Sequence, residues 1–209
     1  MNLHSTVRFE IFVQVFTLPL NSNIAAGPMG FDTGLMLANL LFSYFSQPGR
    51  KHNSDYSAWI LQQTTVLYEL FESKFLALWN QKEKEVDSSG DYLNAELLRA
   101  SPMSSSAQST ASKSSFLQEV WRDTLGFAGA EMIRRIVGIA HVEDLDGIEN
   151  VELRSFCEKR CLLFARHCLL QATDSSYSSA VIPLIVSPKD LSCAVGAVDQ
   201  VDVSHSVWA

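Results

Sequence analysis

The pattern of apolar and polar residues divides this chain into helical blocks joined by polar connections. An early run over residues 9–20 is rich in β-branched and aromatic residues and predicts a buried strand. After a Gly-Pro-Met-Gly turn at 27–30, residues 31–45 are almost all apolar, which predicts a helix buried on every side. The sequence Gln-Pro-Gly at 47–49 then predicts the end of that helix.

Two later segments have the spacing of amphipathic helices. Ser54 and Asp55 can cap a helix over residues 56 to about 80, in which apolar residues recur at three- and four-residue intervals. Residues 149–171 predict another helix, with a narrow apolar stripe. The stripe consists of Leu153, Cys157, Cys161, Phe164 and Cys168.

Between these helices, the polar segment 101–115 is rich in serine and predicts an exposed loop. Ser115 and Gln118 have the spacing of a capping box, which predicts that a third helical region begins at Phe116 and runs to about residue 140. Small residues at 126–130 indicate either an interruption or tight packing.

The last part of the chain, 173–209, consists largely of serine, valine and small residues, and we expect it to be weakly ordered.

Composition and charge narrow the possible function. The 209 residues leave room for one domain and part of another. Sixteen Lys and Arg against 23 Asp and Glu give a net charge of -7, which makes nucleic acid an unlikely partner. The apolar run at 11–20 is about half as long as a membrane helix. Four cysteines without the pattern of a disulfide scaffold favour a reducing, cytoplasmic location, and we expect no signal peptide and no membrane contact.

Short catalytic motifs are missing. The sequence contains no glycine-rich phosphate loop and no nucleophile elbow, and none of its five histidines has the Asp two positions later that a kinase catalytic loop requires. Cys157, Cys161, His167 and Cys168 could be drawn as a zinc site, but their apolar stripe favours core packing. His141 with Glu143 and Asp144 favours local hydrogen bonds at a helix end over a metal site.

Two features have both a structural and a functional interpretation. Arg134 and Arg135 stand together in an otherwise apolar stretch. The residues alone favour ion pairs with Glu131, Glu143, Asp144 or another acid. The alternative is that the two guanidiniums hold a phosphate or a polyhydroxy substrate bidentately. Asp32 follows the turn at 27–30. It could cap the helix or support a neighbouring catalytic loop by accepting backbone hydrogen bonds.

Two long blocks resemble one family. The first is Gly-Pro-Met-Gly-Phe-Asp-Thr-Gly at 27–34, continued by Leu-Ala-Asn-Leu-Leu at 37–41 and Tyr-Phe-Ser-Gln at 44–47. The second runs from Asp123 to Asp144 and contains the twin arginines. Both are similar to the C-terminal lobe of methylthioribose kinase, an enzyme of methionine salvage with a protein-kinase-like fold. The resemblance covers about residues 27–80 and 116–168.

The resemblance implies a transferase that moves the γ-phosphate of ATP to the 1-hydroxyl of S-methyl-5-thioribose, with magnesium, in the cytoplasm and usually as a homodimer. It places Arg134 and Arg135 at the substrate and the transferred phosphoryl group, which reverses the preference for simple ion pairs. It places Asp32 behind the catalytic loop as structural support.

The chain also departs from the family. The family has an Asp-Pro-Glu magnesium motif directly before the first block, whereas this chain has Asn-Ile-Ala-Ala at 23–26. We find no counterpart of its His-Gly-Asp catalytic loop or its nucleotide lobe. We therefore expect a truncated or alternatively spliced form that binds ATP and magnesium poorly and is inactive alone. The alternative is a non-catalytic helical module that associates with a full-length kinase.

The sequence thus predicts a mainly α fold: the helical C-terminal lobe of a protein-kinase-like (aminoglycoside-phosphotransferase-like) fold, without the N-terminal lobe. Residues 1–26 form a divergent segment, 27–172 the lobe with its exposed loop at 101–115, and 173–209 a divergent tail. No complete catalytic, cofactor or metal site is expected within the chain.

Overall fold

The structure, a computed structural model, describes residues 28–50, 54–85, 106–174, 177, 179 and 181–202. These ranges contain helices and no strand, so the mainly α prediction is confirmed for them. The helices are α1 (Gly30–Phe45), α2 (Ser54–Glu85), α3 (Ser106–Val137), α4 (Glu143–Asp146), α5 (Val151–Thr173) and α6 (Leu191–Asp199). Short 3-10 turns span Gln47–Gly49 and Pro188–Asp190. The strand predicted for residues 9–20 lies outside the described residues.

Helix α1 has the predicted position and ends at the predicted turn, but it is not buried on every side. Phe31 is 45% exposed, and Asp32 is exposed beside it. The buried residues follow helical spacing along one broad face: Gly30, Gly34, Leu37, Ala38, Leu41, Phe42 and Phe45. The remaining face reaches the surface because α1 is covered mainly by α3 and less extensively by α2.

Two glycines allow α1 to contact the backbone of α3. A Cβ atom on Gly34 would lie 2.7 Å from Cβ of Phe127 and 2.8 Å from the carbonyl oxygen of Thr124. A Cβ atom on Gly30 would lie 2.5 Å from Cβ of Asp123. The order of these contacts shows that the two helices run in the same direction. Glycine is therefore required at these positions by space.

Helices α3 and α5 pack closely as an antiparallel pair. A Cβ atom on Gly129 would lie 2.6 Å from the carbonyl oxygen of Ala165, and one on Gly126 would lie 3.1 Å from Cβ of Ala172. The small residues at 126–130 therefore mark tight packing within an uninterrupted helix.

The apolar stripe of α5 lies in the core for most of its length. Cys157, Cys161, Phe164 and Cys168 are fully buried. Leu153 is 42% exposed, so the stripe was predicted one turn too far toward the start of the helix. Given the antiparallel register with α3, the first turn of α5 extends beyond the end of α3, which therefore does not cover Leu153.

The prediction of an exposed loop over 101–115 is wrong for residues 106–115, which belong to α3. The helix starts nine residues before Ser115, so the capping box predicted there does not begin it. The cause lies in α2, whose last predicted turn supplies partners for this part of α3. The ring of Phe116 lies 5.4 Å from that of Trp79, and Lys113 donates a hydrogen bond to Asn80 at 2.7 Å.

The prediction of a weakly ordered tail over 173–209 is wrong for residues 181–202. Six apolar side chains of this segment are buried in the core: Ile182, Ile185, Leu191, Ala194, Val195 and Val198. The amide of Gln171 on α5 binds the backbone of Ile185 twice, donating to its carbonyl oxygen at 2.7 Å and accepting from its N–H at 3.0 Å. The tail is thus attached to α5 by polar bonds as well as apolar contact.

An ion pair between a buried arginine and a partly exposed aspartate holds the end of α6. Arg160 of α5 is 5% exposed and pairs with Asp199, which also accepts a hydrogen bond from the hydroxyl of Tyr44. The guanidinium lies over the rings of Phe45 and Phe156, at 5.7 and 5.2 Å from their centroids. Burial lowers the pKa of Arg160 and raises the pKa of Tyr44. Residues of α1, α5 and α6 therefore meet in one polar cluster at the edge of the core.

Replacing Gly34 by alanine should destabilise the fold, because the new methyl group meets backbone and Cβ atoms of α3 that cannot move alone. We expect Gly34→Ala to lower the free energy of unfolding by about 1–3 kcal/mol in urea denaturation followed by circular dichroism. Gly196 is the matched control, since a Cβ atom there meets nothing within 4 Å. Gly196→Ala should stabilise by up to about 1 kcal/mol through helix propensity. Equal urea midpoints for both variants would contradict the close contact.

Candidate functional site

The twin arginines lie in the last turn of α3, and one carboxylate serves both. Glu131 stands three residues before Arg134 and four before Arg135, so the three side chains share a face of the helix. Arg134 donates from Nε to Oε2 at 2.8 Å and from Nη2 to Oε1 at 2.7 Å, a bidentate pair. Nε of Arg135 lies 3.1 Å from the same Oε1, in ion-pair contact but outside hydrogen-bond geometry.

The carboxylate is more buried than either cation. The side chain of Glu131 is 10% exposed, against 31% for Arg135 and 55% for Arg134. The hydrogen bond to Glu131, and then the charge of its carboxylate, raise the pKa of Arg134. Two guanidiniums and one carboxylate leave one net positive charge. The carbonyl end of α3 also favours cations at this position.

The connection after α3 folds back onto the arginines. Nη1 of Arg135 donates to the carbonyl oxygen of His141 at 3.1 Å, and the N–H of Gly138 donates to the carbonyl oxygen of Arg134 at 3.0 Å. Val137 and Ile139 are 70% and 99% exposed beside them. The cluster therefore faces solvent next to apolar side chains.

Donor groups remain available at this surface. Arginine carries five N–H donors. Within the described residues Arg134 commits two of them to Glu131, which leaves three, and Arg135 makes one hydrogen bond, to His141. The arrangement can hold an anion or a set of hydroxyl groups without breaking the contacts to Glu131.

Asp32 lies apart from this cluster. It is exposed in the first turn of α1, and the residue before that helix, Met29, makes no side-chain capping bond. Because Gly34 of α1 faces Phe127 of the parallel helix α3, Asp32 lies two residues below that level. Arg134 lies seven residues above it, so the two are separated by about 13 Å along the helix axis. A negative charge here suits the start of a helix. Its role as support for a catalytic loop stays a prediction.

The cysteines behave as core residues. Burial raises the pKa values of the Cys157, Cys161 and Cys168 thiols, which keeps them protonated and unsuited to bind metal. All three lie in the apolar core, so the core-packing interpretation is confirmed.

A ligand set for magnesium is likewise not found in the ranges that the structure describes, where no three His, Cys, Asp or Glu side chains converge. Near the arginines, His141 Nδ1 lies 3.6 Å from Asp146 Oδ2, and the backbone carbonyls of Glu143 and Asp144 accept hydrogen bonds from Arg50. These local contacts favour the helix-end interpretation of that segment. The described residues therefore do not offer the carboxylate ligands that magnesium-bound ATP needs.

His167 is buried in an unusual way. Its side chain is 2% exposed, and neither ring nitrogen makes a hydrogen bond. The ring of Tyr177 lies 5.6 Å away and covers it from the segment after α5. Burial lowers the pKa of the imidazole, and this effect is larger than that of the backbone of Pro183 and the amide of Gln171, which raise it. The folded chain therefore favours the neutral imidazole.

The sequence did not reveal a cleft of about 290 Å³ between α3 and the tail. Its lining includes Trp121, Arg122, Gln171 and Ile185. Trp121 and Gln171 both donate to the carbonyl oxygen of Ile185, at 3.4 and 2.7 Å, and fix this wall. No motif points to the cleft, because one wall comes from a segment predicted to be weakly ordered. Of the described helices, none has the length and apolar content needed to cross a bilayer.

Comparison with known proteins gives a consistent result. The chain is 40% identical over 147 residues to methylthioribose kinase 1 of Oryza sativa subsp. japonica, a match that covers 68% of this chain and 32% of the rice protein. It is 36% identical over 160 residues to methylthioribose kinase of Escherichia coli O45:K1 (strain S88 / ExPEC), covering 75% and 36%. The chain thus spans about one third of the length of these curated relatives. No protein-family model matches it.

Burial of His167 makes stability depend on pH. Because its pKa in the folded chain lies below the ordinary value of about 6.5, the unfolded chain binds the proton first. The contribution of neutral His167 to the free energy of unfolding is therefore fully present above pH 6.5. It should fall as the pH drops toward the lower pKa of the folded chain, by at most about 1.4 kcal/mol per pH unit.

Urea unfolding between pH 7.5 and 5.5 measures this slope. His167→Leu should flatten it, whereas His141→Gln, whose parent side chain is about half exposed, should retain it. A slope unchanged in His167→Leu would show that another group is responsible.

Proposed function

This chain belongs to the methylthioribose kinase family, and on that premise we propose that it carries the acceptor side of an S-methyl-5-thioribose kinase. In this proposal Arg134 and Arg135 contact the sugar and the phosphoryl group transferred to its 1-hydroxyl. The remaining elements form the helical lobe of a protein-kinase-like fold.

The observation that carries the proposal is the geometry of the twin arginines. They stand together at the end of a rigid helix, are oriented by a nearly buried carboxylate and keep unused donors toward solvent. A planar guanidinium suits both a vicinal pair of hydroxyls and the oxygens of a phosphoryl group. The exposed apolar neighbours Val137 and Ile139 suit a sugar that carries a methylthio group.

We further propose that the 209 residues by themselves do not transfer phosphate. Phosphoryl transfer depends on a base at the acceptor hydroxyl, on metal ligands and on donors around the nucleotide. The family's Asp-Pro-Glu motif is replaced by Asn-Ile-Ala-Ala at 23–26, and the described residues contain no metal-ligand cluster. Two arginines cannot supply these functions.

Binding and turnover of the purified chain test the proposal separately. Isothermal titration calorimetry should detect S-methyl-5-thioribose binding, and Arg134→Gln combined with Arg135→Gln should weaken it at least about tenfold, which corresponds to one lost charged hydrogen bond of about 1.4 kcal/mol. Arg122→Gln, an exposed arginine of the same helix, is the matched control and should leave the affinity unchanged. A coupled assay with ATP should show no turnover. Binding unaffected by the double substitution would disprove the assigned site.

A second function is favoured by one observation. The exposure of Val137 and Ile139, with Val151 and Leu153 exposed near the same end of the α3–α5 pair, leaves apolar surface uncovered. We propose as the alternative that the chain is a non-catalytic module that associates with a full-length kinase of the family.

Co-expression with a full-length methylthioribose kinase tests this alternative. The two chains should elute together in size-exclusion chromatography, and replacing Val137 and Ile139 by serine should separate them, because each serine removes apolar surface from the contact. Leu78→Ser, at an exposed apolar position of α2, is the control and should leave the complex intact. Independent elution of the unmodified chains would contradict the module.

A further inference from the structure

We propose that Glu131 is a positioning residue, which holds Arg134 and Arg135 in the orientation that receives the acceptor sugar, and that it is not only a counter-charge. This inference rests on the proposed function, since it concerns the same two arginines. It adds a third residue to the site and assigns a different role to it.

The carboxylate of Glu131 is shared unequally by the two arginines. Both oxygens of Glu131 are engaged by Arg134 in a two-bond fork, which fixes the plane of that guanidinium. Oε1 is in addition 3.1 Å from Nε of Arg135. A counter-charge could sit anywhere near two cations, whereas this one is bound to the Nε edge of Arg134 and lies in ion-pair contact with Nε of Arg135. The outer edge of the Arg134 guanidinium is thereby directed away from the helix.

The carboxylate of Glu131 is also nearly buried. The Glu131 side chain is only 10% exposed although both of its partners reach solvent. Taking a carboxylate out of water is costly unless it is held by charged donors. Met132, the next residue, is fully buried, so this turn of α3 is anchored to the core. Glu131 is therefore held in place by the core, and it restrains two side chains that would otherwise be flexible.

The other end of Arg135 is restrained by the backbone. Its Nη1 donates to the carbonyl oxygen of His141, in the connection that follows α3. Arg135 is thus in ion-pair contact with Glu131 at its Nε and hydrogen-bonded to the backbone at its tip. Two restrained guanidiniums lose less rotamer entropy when they bind a ligand, which favours affinity for a ligand of matching shape.

The two possible roles of Glu131, counter-charge and positioning, predict different binding of two probes, inorganic phosphate and S-methyl-5-thioribose. If Glu131 acted only as a counter-charge, Glu131→Asp would bind like the unmodified chain, and Glu131→Gln would bind inorganic phosphate more tightly without changing the affinity for neutral S-methyl-5-thioribose. If it positions the arginines, both variants should bind the sugar about tenfold more weakly. Aspartate keeps the charge but is one methylene too short to maintain the same fork.

The experiment is calorimetric titration of the full chain with both probes, together with ¹⁵N NMR of the arginine Nε–H groups. Glu119→Gln, an exposed glutamate of α3 without a described ion pair, is the matched control and should change neither readout. Thermal melts verify that each variant is folded. We expect a slowly exchanging Nε–H signal from Arg134 that is lost in Glu131→Gln and weakened in Glu131→Asp.

The outcomes separate this inference from the proposed function. Sugar binding that is lost in the double arginine variant but unchanged in Glu131→Asp would overturn the positioning role and leave the proposed function intact. If the unmodified chain does not bind the sugar, the proposed function fails. The NMR signal then decides: its loss in Glu131→Gln supports the positioning of Arg134, and its persistence overturns it.

Discussion

Close backbone contact among three helices is the constraint on which the rest of the structure depends. Gly34 allows α1 to touch the backbone of α3, and Gly129 allows α3 to touch the backbone of α5. Because both contacts involve α3, this helix is fixed on two sides, and its last turn is held firmly. The orientation of Arg134 and Arg135 toward solvent is a consequence of that fixed rotation, since any turn of α3 about its axis would redirect them.

The tail lies outside the two sequence blocks that resemble the family, but its side chains belong to the same core. Its residues Leu191, Ala194, Val195 and Val198 have the spacing of a buried helical face, and Asp199 gives the buried guanidinium of Arg160 its partner. Removing one member of such a pair leaves an uncompensated charge in an apolar surrounding. The tail is thus part of the folded unit. Its richness in serine and small residues conceals this, because the buried apolar side chains are interspersed among them.

The candidate site shows how one contact can serve stability and binding together. Glu131 satisfies the arginines inside the fold, as the residues alone suggested, and it leaves enough donors for a ligand, as the family resemblance implies. The two interpretations treated as alternatives in the sequence are therefore compatible in the structure. Asp32 did not join the cluster, because parallel packing of α1 and α3 separates its level from that of Arg134.

The sequence by itself determined the helical character, the positions of α1 and α5, the burial of three cysteines and the family, because these depend on local periodicity and on long matching blocks. Only the tertiary structure decided that residues 106–115 are helical, since their serines have weak helix propensity and the contacts that hold this part of α3, those of Lys113 with Asn80 and Trp79, come from α2. It also decided that the tail is core and that Glu131 holds both arginines at once. Such contacts are set by which helix faces meet, and no local pattern contains that information.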